Sequence, residues 1–183
     1  MPVTTLDPKT ALLVVDLQKG IVSIPAAHPA AGVIANAAAL AAAFRKHHLP
    51  VVLINVGGGA PGRTESPPRG GERPADWMEL VPELDTQPSD IVVTKKTWGG
   101  FTGTGLGDKL KALGVTQVVV AGIATTFGVE STARQAHEHG LNVTLAVDAM
   151  TDPNPDAHHN SVTRIFPRLG ETGTTAEIIA LLK

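Results

Sequence analysis

The chain reads as an α/β protein built on a doubly wound parallel sheet. Three observations predict this. Short apolar runs alternate with longer segments of helical periodicity, the pattern of βαβ units. The runs are continuous rather than alternating, as in strands covered on both faces. Glycine follows two of the helical segments, where a left-handed cap is needed. The 183 residues, 43% of them hydrophobic, suit a single domain over residues 1–183 with one full core.

The first strand is 11–15 (ALLVV), and the long helical segment 30–47 leads to a second strand at 51–56 (VVLINV). Residues 57–89 interrupt the alternation, dense in Gly, Pro, Arg and Asp, with one short helical stretch at 75–80. A loop this long in a compact domain is usually functional. The third strand, 91–94 (IVVT), precedes a helix at 104–113 closed by Gly114. The fourth, 117–121 (QVVVA), precedes a helix at 126–139 closed by Gly140. A fifth strand at 143–147 (VTLAV) is followed by helices at 156–169 and 174–182.

Composition removes several functions. A net charge of −2 gives no electrostatic reason to bind nucleic acid or an anionic membrane. The absence of cysteine excludes disulfides, thiolate metal sites and thiol catalysis together. There is no 18-residue apolar run, and MPVTTLDPKT lacks the charged and apolar regions of a signal peptide, so the expected location is the cytoplasm. Gly57, Gly59 and Gly62 match G-x-G-x-x-G, and 57–64 approximates a P-loop with Arg63 replacing Lys. Either motif needs a helix directly behind it, which the prolines at 67, 68 and 74 forbid. The histidines occur as pairs 47–48 and 158–159, or two apart at 137 and 139, spacings that face different ways on a helix. Neither a nucleotide cofactor nor a metal is expected.

What remains lies at strand ends. In an open parallel sheet, ligands collect at the carboxyl edge. Asp16 closes the first strand in LLVVDLQKG, where partial burial would raise its pKa and suit it to acid or base work. Gln18 is placed to add a neutral hydrogen-bonding group. Lys95 ends the third strand in DIVVTKKTWGGF, a cation to balance that carboxylate. Trp98, Phe101 and Phe127 are half of the chain's two Trp and four Phe, and all fall in these segments, as an apolar pocket requires. In VVVAGIATTFGVESTARQA a strand turns into a helix, and the position where a nucleophile is sought carries Gly128.

Taken together, VVDLQ, VVTKKTWGGFTGTGL and GIATTFGVESTARQAHEHG resemble the isochorismatase-like hydrolase family, which includes nicotinamidases and related amidases. The resemblance runs from about residue 11 through DAMTD to TTAEII. It implies a Rossmann-like, six-stranded parallel sheet of order 3-2-1-4-5-6 with helices on both faces. It also implies a homodimer or homotetramer whose subunits complete one another's pockets. Amidase members use an Asp–Lys–Cys triad. Asp16 matches the Asp, and Lys95, six residues before Phe101, matches the Lys; Gly128 stands at the Cys position. The family's Asp-and-His metal site is missing, because the corresponding loop reads NVGGGAPGRTE. A non-proline cis peptide is implied at Ile123–Ala124, with Ile123, Ala124, Thr125 and Phe127 lining the substrate pocket.

Glycine at 128 closes the thioester route. True isochorismatases resemble this chain in lacking that Cys, and they hydrolyse a vinyl ether: the Asp protonates the enol-ether carbon and water adds to the cation. The expectation is therefore a hydrolase acting on a small carboxylated substrate, with Gly128 enlarging the pocket. Backbone N–H groups of residues 124–128 would cradle an anion, and Arg63, Arg69 or Arg73 would hold a carboxylate. The alternative is a non-catalytic or repurposed homologue that keeps the pocket to bind a small molecule.

Overall fold

A computed structural model describes residues 2–66 and 73–183. Its strands are β1 (Thr10–Val15), β2 (Val51–Val56), β3 (Ile91–Lys95), β4 (Gln117–Ile123), β5 (Asn142–Thr151) and β6 (Glu171–Gly173). They form one sheet in the order β3-β2-β1-β4-β5-β6, every neighbouring pair parallel. The helices are α1 (Lys19–Val22), α2 (Ala30–Lys46), α3 (Leu106–Ala112), α4 (Glu130–Glu138), α5 (Pro155–Asn160), α6 (Phe166–Leu169) and α7 (Thr175–Ala180). None of the helices is long and apolar enough to cross a membrane among the described residues.

The sheet is covered on both sides, which is why its central strands are apolar after their first residues, Thr10 and Gln117. All six residues of β1 and all seven of β4 are buried. Leu12, Val14, Leu53 and Val119 face α2 and α7, whose Phe44, Leu40 and Ile178 fill that layer. Leu13, Val15, Val118 and Val120 face α3, α4 and α6, through Leu106, Leu110, Ala133, Ala136 and Phe166. α2 is rich in Ala, the strongest helix former, and buries Val33, Ile34, Ala37, Leu40, Ala41 and Phe44 at helical spacing. On α7, Thr174 and Glu177 complete a capping box.

One close approach sets the geometry near the carboxyl edge. Val15 of β1 pairs with Gly122 of β4. Gly122 has φ 124°, and a Cβ there would lie 2.0 Å from the Val15 carbonyl oxygen. Only glycine fits. The β4–β5 register slips beside it, between Val120 and Gly122.

Several segments differ from the sequence-based expectation. The stretch 75–80 is not helical: Ala75 to Met78 form a turn, and Leu80 makes an antiparallel bridge with Gln18. Nearby prolines and the demand for that bridge outweigh helix propensity. α4 is preceded by a π-type turn, Thr125–Val129, and a second one, Ser161–Ile165, divides the segment 156–169. Pro167 sits in the first turn of α6 and cannot donate a backbone N–H, so the regular hydrogen-bond ladder is interrupted there while the backbone stays helical. α1 and β6 are too short to show periodicity. The long loop is anchored through buried Val81 and Leu84 and by an ion pair from Arg45 Nη2 to Asp90 Oδ2 at 2.7 Å.

Candidate active site

The site is built where β1, β3 and β4 end. Asp16 follows the last residue of β1, with φ 53° and its N–H donated to the Ile54 carbonyl. Aspartate tolerates this left-handed conformation better than most residues. Lys95 ends β3, one strand beyond β2, so its stem spans the end of β2 to reach Asp16. Lys95 Nζ donates to Asp16 Oδ2 at 2.7 Å and to the Thr97 carbonyl at 3.3 Å. Asp16 is 5% exposed and Lys95 2%, whereas Lys96 is exposed. Asp16 Oδ1 is buried and has no hydrogen-bond partner among the described residues. Burial raises the Asp16 carboxyl more than the charge and hydrogen bond of Lys95 lower it, which leaves it at about 6.

Gly128 lies on the π-type turn after β4, beside this pair. The expected extra room is not there: a Cβ at 128 would lie 2.9 Å from Asp16 Oδ2 and 2.9 Å from Val15 Cγ1. The carboxyl itself leans into the space that a side chain would take. The turn is fixed from behind by Asp152, buried in the segment after β5. Its Oδ2 accepts from Thr126 N and Oγ1 at 2.9 and 2.6 Å. The peptide bond Ile123–Ala124 is cis.

A cleft of about 570 Å³ opens over the pair. Asp16, Lys95, Gly128, Ile123, Ala124, Trp98 and Phe127 line it, as do Ile21, Ile24, Val56, Arg73 and Trp77. Trp98 and Phe127 meet edge to face at 4.9 Å across the mouth. Two other grooves, of about 450 and 640 Å³, open near the amino end of β5 and contain no buried titratable side chain. The buried pair Asp16 and Lys95 is at the opposite edge.

Three expected pocket residues serve elsewhere. Gln18 is fully buried: its Oε1 accepts from Val56 N at 2.7 Å, and its Nε2 donates to the carbonyls of Val56 and Trp77. It ties the end of β2 to the long loop. Phe101 joins the core and stacks on His139 at 4.9 Å, away from the cleft. Thr125 is fully buried, with Oγ1 2.8 Å from His158 Nδ1. The expected anion cradle is engaged in part: of residues 124–128, Thr126 N is held by Asp152 and Phe127 N donates to the Ala124 carbonyl. Among the arginines, Arg73 lines the cleft, Arg63 does not, and Arg69 lies outside the described residues.

Sequence reasoning missed Arg73 on Trp77 and the pairing of His28 with His158, whose rings meet at 4.8 Å. Burial, and then the charge of His28, push the His158 imidazole below its usual value. Among the described residues, no group of three His, Cys, Asp or Glu could hold a metal ion.

Comparison with known proteins gives a consistent picture. Residues 10–177 match the Isochorismatase domain. YwoC of Bacillus subtilis (strain 168), an uncharacterized isochorismatase family protein, is 42% identical over 182 residues, 96% of this chain and 95% of its own. Streptothricin hydrolase of Streptomyces noursei is 40% identical over 140 residues, 76% of this chain and 48% of its own. The structure of an isochorismatase family protein from Burkholderia thailandensis superposes with a TM-score of 0.93 at 41% identity, covering 97% of each chain. With likeness this extensive in both sequence and sheet order, the chain belongs to the isochorismatase family.

Proposed function

We propose that this chain is a hydrolase that works without a cysteine nucleophile, cleaving a small carboxylated substrate of the vinyl-ether type by proton transfer from Asp16. One observation carries the reading: a buried carboxyl lines the cleft with one oxygen held by Lys95 and the other unpartnered, beside a glycine that offers no nucleophile. Burial keeps a fraction of that carboxyl protonated near neutral pH. An oxygen with no donor facing it is where the proton resides.

The chemistry balances without a covalent intermediate. Asp16 gives its proton to the terminal carbon of the enol ether, whose C=C electron pair forms the new C–H bond. Positive charge develops on the ether carbon and its oxygen. Water attacks that carbon and returns a proton to the Asp16 carboxylate. The resulting hemiketal breaks its C–O bond and releases an alcohol and a ketone. Lys95 orients the carboxyl and stabilises its ionised form between the two proton transfers.

The test is a substrate panel. Isochorismate or a related enol ether should turn over, nicotinamide should not, and Asp16→Asn should lower turnover by about 10³-fold. Activity that survives Asp16→Asn intact refutes the mechanism. The second reading, a repurposed small-molecule-binding homologue, is favoured by the closed Asp16–Lys95 pair. It gains if nothing turns over while small acids raise Tm. Both readings place the chain in the cytoplasm as a homodimer or homotetramer. Exposed Trp98 (60%) and Phe127 (45%) at the cleft mouth support a second copy covering them.

A further inference from the structure

We infer that Arg73, laid on the ring of Trp77, recognises the substrate's carboxylate, and that the cleft takes a planar unsaturated or aromatic monocarboxylate. The inference rests on reading the cleft as a substrate site and identifies which group selects the substrate. Two cations line the cleft, Lys95 and Arg73. The ammonium of Lys95 is engaged by Asp16 at 2.7 Å and by the Thr97 carbonyl at 3.3 Å. In the turn after β4 the Thr126, Phe127 and Val129 N–H groups already have acceptors, and the turn carries no formal charge. Arg73 is exposed at the cleft and makes no ion pair among the described residues, so its fork is open to an incoming anion there. An anion is what such a site selects.

Arg73 is also held ready. Its Cζ lies 4.3 Å from the centroid of the Trp77 ring. A guanidinium stacked by its face keeps its in-plane N–H fork free for a carboxylate. The indole is fixed in turn over Gly20, where a Cβ would lie 2.0 Å from the ring. The Trp77 carbonyl accepts from Gly20 N and Gln18 Nε2, both at 3.1 Å. Pro74 restricts the backbone of Arg73 to extended conformations. Trp98 and Phe127, edge to face at 4.9 Å, line the same cleft with aromatic surface, which suits an aromatic or unsaturated body.

The chain's two tryptophans, Trp77 and Trp98, both line the cleft, so intrinsic fluorescence reports on this site. The probes are benzoate and its neutral isostere benzamide, titrated near neutral pH. Benzoate should bind at least roughly tenfold more tightly than benzamide, the strength of one charge-assisted contact. Arg73→Gln should bring the two within about twofold of each other, and Arg73→Lys should recover part of the difference. Gly20→Ala, which displaces the indole but leaves Arg73 in place, should weaken benzoate more than benzamide. Asp16→Asn should abolish enol-ether hydrolysis and keep the benzoate preference, so a failed mechanism and a failed inference give different results. Equal binding of the two probes, no saturable response to benzoate, or a preference that persists in Arg73→Gln overturns it.

Discussion

Replacing Lys95 by methionine removes the ammonium from the ion pair and leaves the carboxyl in place. In the native protein Asp16 titrates near 6 against an ordinary value of 3.8. Two pH units correspond to about 3 kcal/mol. The sign follows from proton binding: the folded state holds this proton more tightly than the unfolded chain. Stability from Asp16 is therefore complete below its unfolded value and is lost as pH rises through the folded one. Lys95→Met removes both influences that hold the folded value down, the charge and the hydrogen bond. The midpoint should move above 6, and the loss of stability should extend to higher pH. At about pH 5 the carboxyl is mostly protonated, and the variant should lie within about 1 kcal/mol of wild type. At about pH 8 it must bury an unpaired carboxylate, a cost of about 3–5 kcal/mol. Urea unfolding at the two pH values measures the difference, and carboxyl ¹³C shifts locate the Asp16 midpoint directly. An equal loss at both pH values, or an Asp16 midpoint below about 4 in the wild type, would refute the reasoning.

Other expectations follow from the same geometry. If Asp16 is the proton donor, kcat/KM on an enol ether should be level below about pH 6 and fall about tenfold per pH unit above it; a rising limb there would identify a base instead. Gly128→Ala should push the Asp16 carboxyl from its place, lowering turnover by roughly tenfold or more at a stability cost of about 1–3 kcal/mol. Unchanged kinetics would show that the close approach at 2.9 Å does not matter. Gln18→Ala should destabilise by about 1–3 kcal/mol, because it orphans Val56 N, while KM stays near wild type; chemical denaturation set beside steady-state kinetics separates the two effects. Sedimentation should find a dimer or tetramer that dissociates when Trp98 and Phe127 are both replaced by Ala, and an unaffected assembly would remove these rings from any contact.

The sheet was legible because both faces are covered, which leaves β1 and β4 apolar beyond their first residues, Thr10 and Gln117. Asp16 and Lys95 were legible for a related reason: a charge that closes an apolar strand can only sit at the rim. Aromatic residues carry no such direction. Trp98 and Phe101 are three apart, yet one reaches the cleft and the other packs on His139. Gln18 was read as a site residue because a polar group near Asp16 invites it. Its amide instead satisfies backbone groups of β2 and the long loop, partners that are distant in sequence. The contact of Arg73 with Trp77 and that of His28 with His158 leave no periodic trace, since non-repetitive segments make them. The π-type turns escaped because helical periodicity does not register one inserted residue.

β3 is the outermost strand on its side of the sheet, and through Lys95 it supplies the counter-charge to a carboxyl on β1. Any loosening of that rim withdraws the counter-charge and strands an anion in dry surroundings, so electrostatics reinforce the hydrogen bonds that stitch the edge. Arg45, clasping Asp90 just before the strand begins, fastens the same border from its other end. On the proposed mechanism, proton transfer and the integrity of one exposed border would depend on the same contacts.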